Sequence, residues 1–183
     1  MGRLILITGG ARSGKSALAE KLARDFPTVC YLATSIPFDD EMKDRVRSHR
    51  LRRPPHWRTQ EAWQGVSEVL EHIGEPCCLL DCITLMVSNL LMDHPIDWDE
   101  PEIEQIEQAQ KDILKEMDML IEAVELSDLT LICVTNEVGL GIVPAFPFGR
   151  AYRDIAGRAN QKLAAAADEV YLCVSGIPVK LKG

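Results

Sequence analysis

At 183 residues, with 26% charged and 46% hydrophobic side chains, the chain has the size and balance of one soluble globular domain, residues 1–183, that buries its core without staples. That composition excludes a disordered chain, and no stretch approaches the length of a membrane span. A net charge of −8 argues against a protein that wraps nucleic acid through bulk electrostatics.

The first element is Leu4-Ile5-Leu6-Ile7, a continuous apolar run of strand length, too short for the core of a signal peptide. It leads into Gly9-Gly10-Ala11-Arg12-Ser13-Gly14-Lys15-Ser16, which satisfies G-x-x-x-x-G-K-[ST]. In this pattern the glycines free the backbone to wrap a polyphosphate with its N–H groups. A helical pattern from Ser16 to Ala23 follows, so the strand–loop–helix context of a phosphate loop is complete. A second buried strand, Val29 to Ala33, precedes a loop over Ser35 to Asp39.

Between Asp39 and Pro54 the sequence reads DDEMKDRVRSHRLRRP, acidic at its start and basic at its end, which suits the dipole of a solvated helix. Five arginines nevertheless surround His49. Guanidinium forks match phosphate oxygens, and a neutral imidazole attacking phosphorus forms a phosphoramidate that splits one transfer into two. His49 is therefore a candidate nucleophile. His56 in Pro55-His56-Trp57-Arg58-Thr59 is its rival, while His72 and His94 lie in structural surroundings. Arg52 to Thr59 reads as loop.

Farther on, Ala62, Val66, Val69, Leu70 and Ile73 mark a helix, and Cys77-Cys78-Leu79-Leu80 a strand ending in Asp81. A phosphate-loop lysine works with a magnesium ion held by the loop serine and an acid that ends a second apolar strand. Ser16 and Asp81 fit those roles; Asp81 equally suits a helix N-cap ahead of Ile83-Thr84-Leu85-Met86. Ile103, Ile106, Gln110, Ile113, Met117, Leu120 and Val124 recur at helical spacing. Leu129 to Val134 is a strand, Tyr152 to Ala167 a helix, and Val170 to Val174 a strand. This alternation predicts an α/β fold: a single-domain, P-loop NTPase-like, doubly wound and mainly parallel sheet with helices on both faces. The six cysteines lie in or beside apolar runs without a C-x-x-C pair, which predicts buried free thiols in a reducing cytoplasm. From the residues alone, the chain is a magnesium-dependent nucleotide enzyme with a candidate nucleophilic histidine.

The phosphate-loop segment from Ile7 to Ser16 is joined by Tyr31-Leu32-Ala33-Thr34-Ser35, Asp40-Glu41-Met42, His49-Arg50-Leu51-Arg52-Arg53-Pro54 and Trp57-Arg58-Thr59. Together they resemble the bifunctional adenosylcobinamide kinase / adenosylcobinamide-phosphate guanylyltransferase family of cobalamin biosynthesis. The likeness continues through Asp81-Cys82-Ile83-Thr84, Val134-Thr135-Asn136-Glu137-Val138-Gly139, Tyr152-Arg153-Asp154 and Ala167-Asp168-Glu169-Val170 to Val174-Ser175-Gly176-Ile177-Pro178.

The resemblance implies phosphorylation of the cobinamide aminopropanol hydroxyl by ATP or GTP, then GMP transfer from GTP to that phosphate, with release of pyrophosphate. It places a guanylylated histidine at His49 and implies action of Lys15 on the phosphates. The nucleotide contacts it implies are Gly9, Gly10, Ala11, Arg12, Ser13, Gly14, Lys15, Ser16, Thr34, Ser35, Ile36, Arg50, Leu51, Arg52, Arg53, Glu61 and Asp81, with Mg2+ at Ser16 and Asp81. It further implies a corrinoid substrate and a homo-oligomer, a trimer. Arg153 and Asp154 are further candidates.

Asp81 departs from the glutamate of some relatives, and Ser48 from a second histidine. No N-K-x-D guanine motif is present. No site is assigned to Pro144 through Arg150. The competing enzyme reading is a simple P-loop kinase for another small alcohol, with the Arg-rich segment as a lid and His49 unreactive. A nucleotide-gated switch lacks a partner surface in the helix patterns, and an RNA binder lacks an aromatic stacking platform.

Overall fold

The computed structural model describes residues 1–35 and 54–183. Seven strands form one sheet: β1 Arg3–Gly9, β2 Val29–Ala33, β3 Arg58–Glu61, β4 Cys77–Asp81, β5 Thr130–Val134, β6 Glu169–Val174 and β7 Ile177–Lys182. Among the described residues the helices are α1 Lys15–Ala23, α2 Val66–Glu71, α3 Ile83–Asp93, α4 Ile103–Glu125 and α5 Pro147–Ala166. The spatial order is β3-β2-β4-β5-β1-β6-β7. All neighbours run parallel except β6 and β7.

The apolar runs are continuous because both faces of the sheet are covered. Side chains alternate across the sheet. Leu4, Leu6, Leu32, Leu80 and Leu131 therefore pack on one side with α2 to α5, and Ile5, Ile7, Tyr31, Leu79 and Ile132 on the other with α1 and Trp57. On α4, Ala109, Ile113, Met117, Leu120 and Val124 form the buried stripe, while Ile103 at its start is exposed. Pro147 opens α5, where its fixed φ and missing N–H cost nothing.

Four expectations need correction. Arg58 to Glu61 is the edge strand β3, because its backbone pairs with Cys30 to Ala33. The second helix begins at Val66 instead of near Ala62, which packs against the core from the connecting loop. The last helix starts five residues early, at Pro147 where Tyr152 was expected. Finally, the N-cap of α3 is Cys82, with no side-chain cap bond, so Asp81 belongs to β4 and does not cap the helix.

All six cysteines are free and buried. Burial pushes the Cys77 thiol up to about 12 and, helped by the negative charge of Asp81, the Cys82 thiol up to about 11. A thiol ionises near 9.0 when unperturbed, so above that pH the folded state keeps protons that the unfolded chain has lost. The stability these thiols contribute is complete below about pH 9 and is lost as pH rises toward 12. Denaturant titrations across this range are expected to show a steady fall in stability with pH, shallower in Cys77→Ala.

Candidate nucleotide site at the carboxyl rim of the sheet

The parallel strands all end on one rim, where open α/β sheets hold their ligands. The loop after β1 is built there by close backbone approach. Gly9 has φ 149°, and a Cβ at this position would lie 2.4 Å from the Cys173 carbonyl oxygen. Gly14 has φ 99° and would bring a Cβ to 3.1 Å from the Gly176 Cα. Neither position tolerates a side chain without displacing backbone. Two neighbours clamp the loop: the Glu137 N–H donates to the Gly9 carbonyl at 3.0 Å, and the Gly176 N–H to the Ser13 carbonyl at 2.9 Å.

Gly14 is the N-cap of α1 and provides no side-chain cap bond, so the first N–H groups of the helix face the loop's concavity. A helix N-terminus of this kind attracts anions. Lys15 is buried, and its ammonium donates to the Gly10 carbonyl at 2.6 Å across the loop. Ser16 is half-buried in the first turn of α1, and Gly10, Ala11 and Arg12 are exposed. Arg12 adopts a left-handed backbone, φ 55°. The buried Ser13 hydroxyl has no hydrogen-bond partner among the described residues.

Asp81 ends β4 in register with Val134 of β5 and Ala33 of β2, on the face that carries α1. One carboxylate oxygen accepts a 2.7 Å bond from the Tyr31 hydroxyl, which fixes its orientation. The ammonium of Lys15 and the carboxylate of Asp81 act in opposite senses on the Cys82 thiol, which places that thiol within the field of both. A serine hydroxyl and an aspartate carboxylate are hard oxygen donors of the kind magnesium takes. Among the described residues no group of three or more His, Cys, Asp or Glu side chains forms a metal cage. The pair thus fits an ion that draws its remaining ligands from phosphate and water.

A polar network braces this rim. The Thr34 hydroxyl donates to the Cys82 carbonyl at 2.7 Å and accepts from the Cys82 N–H at 2.9 Å, while Asn89 donates to the Thr34 carbonyl at 2.8 Å. Thr34 is fully buried, so its side chain ties the ends of β2 and β4 together. Asn136 donates to the Thr84 hydroxyl at 2.7 Å, and Asn160 to the Asn136 carbonyl at 3.1 Å. Thr135 donates to Asn160 at 2.6 Å. Tyr152 reaches Thr84 as well, and burial holds its phenol above its usual pKa. The sequence reading passed over Cys82, Thr84, Asn136, Asn160 and Tyr152 as functional positions. Cys82 and Asn136 stand one and two residues past an apolar strand, whereas Thr84, Tyr152 and Asn160 lie within helices and carry no such signal.

The other expected residues fall apart in space. Ser35 follows Thr34 at the same rim, half-buried. Glu61 is exposed at the end of β3, four strands from β1, or about 19 Å at ordinary strand spacing. Arg153 pairs with its neighbour Asp154. His56 and Arg58 line a cavity of about 500 Å3 with His72 and Glu75 near the start of β3, at the opposite rim. Arg58 is held there by Glu75 at 2.6 and 2.9 Å. His56 is therefore no rival for chemistry at the loop. Ile36, His49, Arg50, Leu51, Arg52 and Arg53 lie outside the described residues.

Comparison with known proteins agrees with this geometry. Residues 5–181 match the CobU family model, described as cobinamide kinase / cobinamide phosphate guanyltransferase. The chain belongs to this family. The bifunctional adenosylcobalamin biosynthesis protein CobU of Escherichia coli K12 is 50% identical, the alignment covering 98% of this chain and 99% of that protein. CobU of Salmonella typhimurium LT2 is 48% identical over the same shares. The bifunctional adenosylcobalamin biosynthesis protein CobP of Pseudomonas aeruginosa PAO1 is 40% identical, with 97% and 96% covered. Among solved structures, a type III secretion ATPase shares the fold of this CobU-family chain with a TM-score of 0.58 at 12% identity, covering 94% of this chain and 51% of that one. A Pyrococcus horikoshii OT3 protein does so at 0.54 and 8%, covering 100% and 87%.

Gly9→Ala forces a methyl group against the Cys173 carbonyl. Its affinity for a fluorescent GTP analogue is expected to fall about ten-fold or more, equivalent to about 1.4 kcal/mol; titration against the unchanged protein measures it.

Proposed function

We propose that the chain is a bifunctional cobinamide kinase and cobinamide phosphate guanylyltransferase in which both steps are served by one domain. The observation that carries this reading is the phosphate loop clamped between Glu137 and Gly176, in a chain whose family is defined by those two activities. In the first step the aminopropanol hydroxyl of adenosylcobinamide attacks the γ-phosphorus of ATP or GTP. A new P–O bond forms, the bond to the β-phosphate oxygen breaks, and the hydroxyl proton leaves to solvent. Lys15 and the N–H groups of the loop stabilise charge on the phosphates. Ser16 and Asp81 would hold Mg2+, which supplies neutralisation of the triphosphate when bound.

In the second step an imidazole nitrogen of His49 attacks the α-phosphorus of GTP and expels pyrophosphate. A phosphate oxygen of adenosylcobinamide phosphate then attacks the same phosphorus, the P–N bond breaks, and neutral imidazole returns with adenosylcobinamide-GDP as product. Arg50, Arg52 and Arg53 supply charge for this transfer, and Ile36 and Leu51 are further nucleotide contacts in this proposal. Glu61, far from the loop along the rim, serves the guanosine end of GTP in preference to its γ-phosphate.

The unpaired outer edge of β7 favours self-association, as exposed edge strands do. Val174, Ile177, Val179 and Leu181 leave an apolar strip exposed along the β6–β7 hairpin, where we place a contact between copies of a homo-oligomer; its count of three is what the family resemblance implies. Six unpaired thiols fit a cytoplasmic enzyme.

The test is intact-mass analysis and peptide mapping after incubation with GTP and Mg2+. An acid-labile GMP adduct on His49 is expected. With GTP bound and no adduct, the reading retreats to a one-step kinase whose Arg-rich segment is a lid. His49→Ala is expected to lose guanylyl transfer while keeping kinase activity. Lys15→Ala should lower both rates by about 100-fold, as read from separate assays of cobinamide phosphate and pyrophosphate.

A further inference from the structure

The loop joining β5 to α5 contains nine consecutive uncharged residues, Val138 to Phe146, in a chain of net charge −8. Four large apolar side chains on it stand in solvent: Leu140 is 88% exposed, Ile142 95%, Val143 61% and Phe146 77%. The loop is nevertheless built. At its start the Glu137 N–H holds the Gly9 carbonyl, and the Gly139 N–H donates to the Glu137 carboxylate at 2.7 Å. At its end the Arg150 guanidinium donates to the carbonyls of Pro144 at 3.2 Å and Ala145 at 2.6 Å. Behind it, Phe148 meets Trp98 edge-on at 4.9 Å and stacks with Tyr152 at 6.4 Å. Apolar side chains held out in water by an anchored loop beside a reaction site mark a binding surface.

We propose that Leu140, Ile142, Val143 and Phe146 seat an apolar face of the corrinoid ring, with its aminopropanol tail directed to the phosphate loop. This rests on the cobinamide reading above. An acceptor for that reaction presents only its tail to the γ-phosphate, and its macrocycle, too broad for the loop, has to rest beside it. A corrin offers wide apolar faces edged by neutral amides, which match an uncharged apolar surface. The surface is tied by one hydrogen bond to Gly9, so ring and phosphates share a rigid frame. The strip along β7 has different chemistry, with lysines and unpaired backbone groups that suit another protein chain.

Ile142→Asp and Phe146→Ser, at exposed positions, test this in the full-length protein. Both are expected to raise KM for adenosylcobinamide at least ten-fold, to weaken its equilibrium binding by the same factor in titrations followed by visible absorbance, and to leave the nucleotide KM unchanged. An unchanged KM and affinity for the corrinoid would overturn the proposal. So would a loss of corrinoid binding that tracks a lower oligomeric mass in sedimentation velocity, because the loop would then be an interface between copies. If the unsubstituted protein neither bound nor phosphorylated adenosylcobinamide, the cobinamide reading itself would fall, and this seat with it.

Discussion

The structure turns on the close approach of the phosphate loop to its neighbours. With the Cys173 carbonyl behind Gly9 and Gly176 against Gly14, the loop is wedged between the ends of β5 and β6 and its course is held by contacts within the protein. Such preorganisation matters because backbone N–H groups are useful to a polyphosphate only when they already converge. The wedge also explains why β6 turns back at once through Ser175 and Gly176 into the antiparallel β7: the turn itself is part of the loop's wall.

From this wedge the remaining rim follows. α1 lies over the central strands on one face, so Asp81 at the end of β4 projects on the side where α1 begins. On the opposite face the helices α3 and α5 bring Thr84, Asn89, Tyr152 and Asn160 to the strand ends. These side chains bond chiefly to one another and to backbone of the rim, and a satisfied buried network of that kind rigidifies what it touches. The far rim does other work. There Arg58 is fixed by Glu75, the Leu4 N–H donates to Asp168 at 2.8 Å, and Arg3 and Lys180 both pair with Glu169. Charges at that end hold strands together.

The distribution of exposed apolar surface is uneven in a way the core does not require. Burial is nearly complete for the central strands and the inner faces of α3 to α5, so leaving Leu140, Ile142 and Phe146 in water is no failure of packing. The loop that carries them is short of charge and anchored at both ends, and it abuts the one part of the molecule whose geometry is most constrained. The β6–β7 hairpin bears the second apolar surface, at an edge where backbone groups are unpaired. The two surfaces thus lie on either side of one phosphate loop, reached through the Glu137 and Gly176 contacts that clamp it.

The sequence by itself determined a good deal: the phosphate loop, the five inner strands, the parallel α/β class, the buried thiols, and Asp81 as an acid at a strand end. These were legible because each depends on local pattern, whether continuous apolar runs, helical spacing or glycines at set intervals. Only the tertiary structure decided the rest. Strand order separates Glu61 from the loop, and the parallel direction of β3 leaves His56 and Arg58 at the rim opposite it. Thr34 became a buried brace, and Thr84, Asn136 and Asn160, far apart in the chain, became one network. β3 and β7 escaped sequence reading because edge strands are covered on too little of their surface to need continuous apolar residues. Spatial neighbours at a strand rim are set by the order in which strands pair, and no local pattern encodes that order.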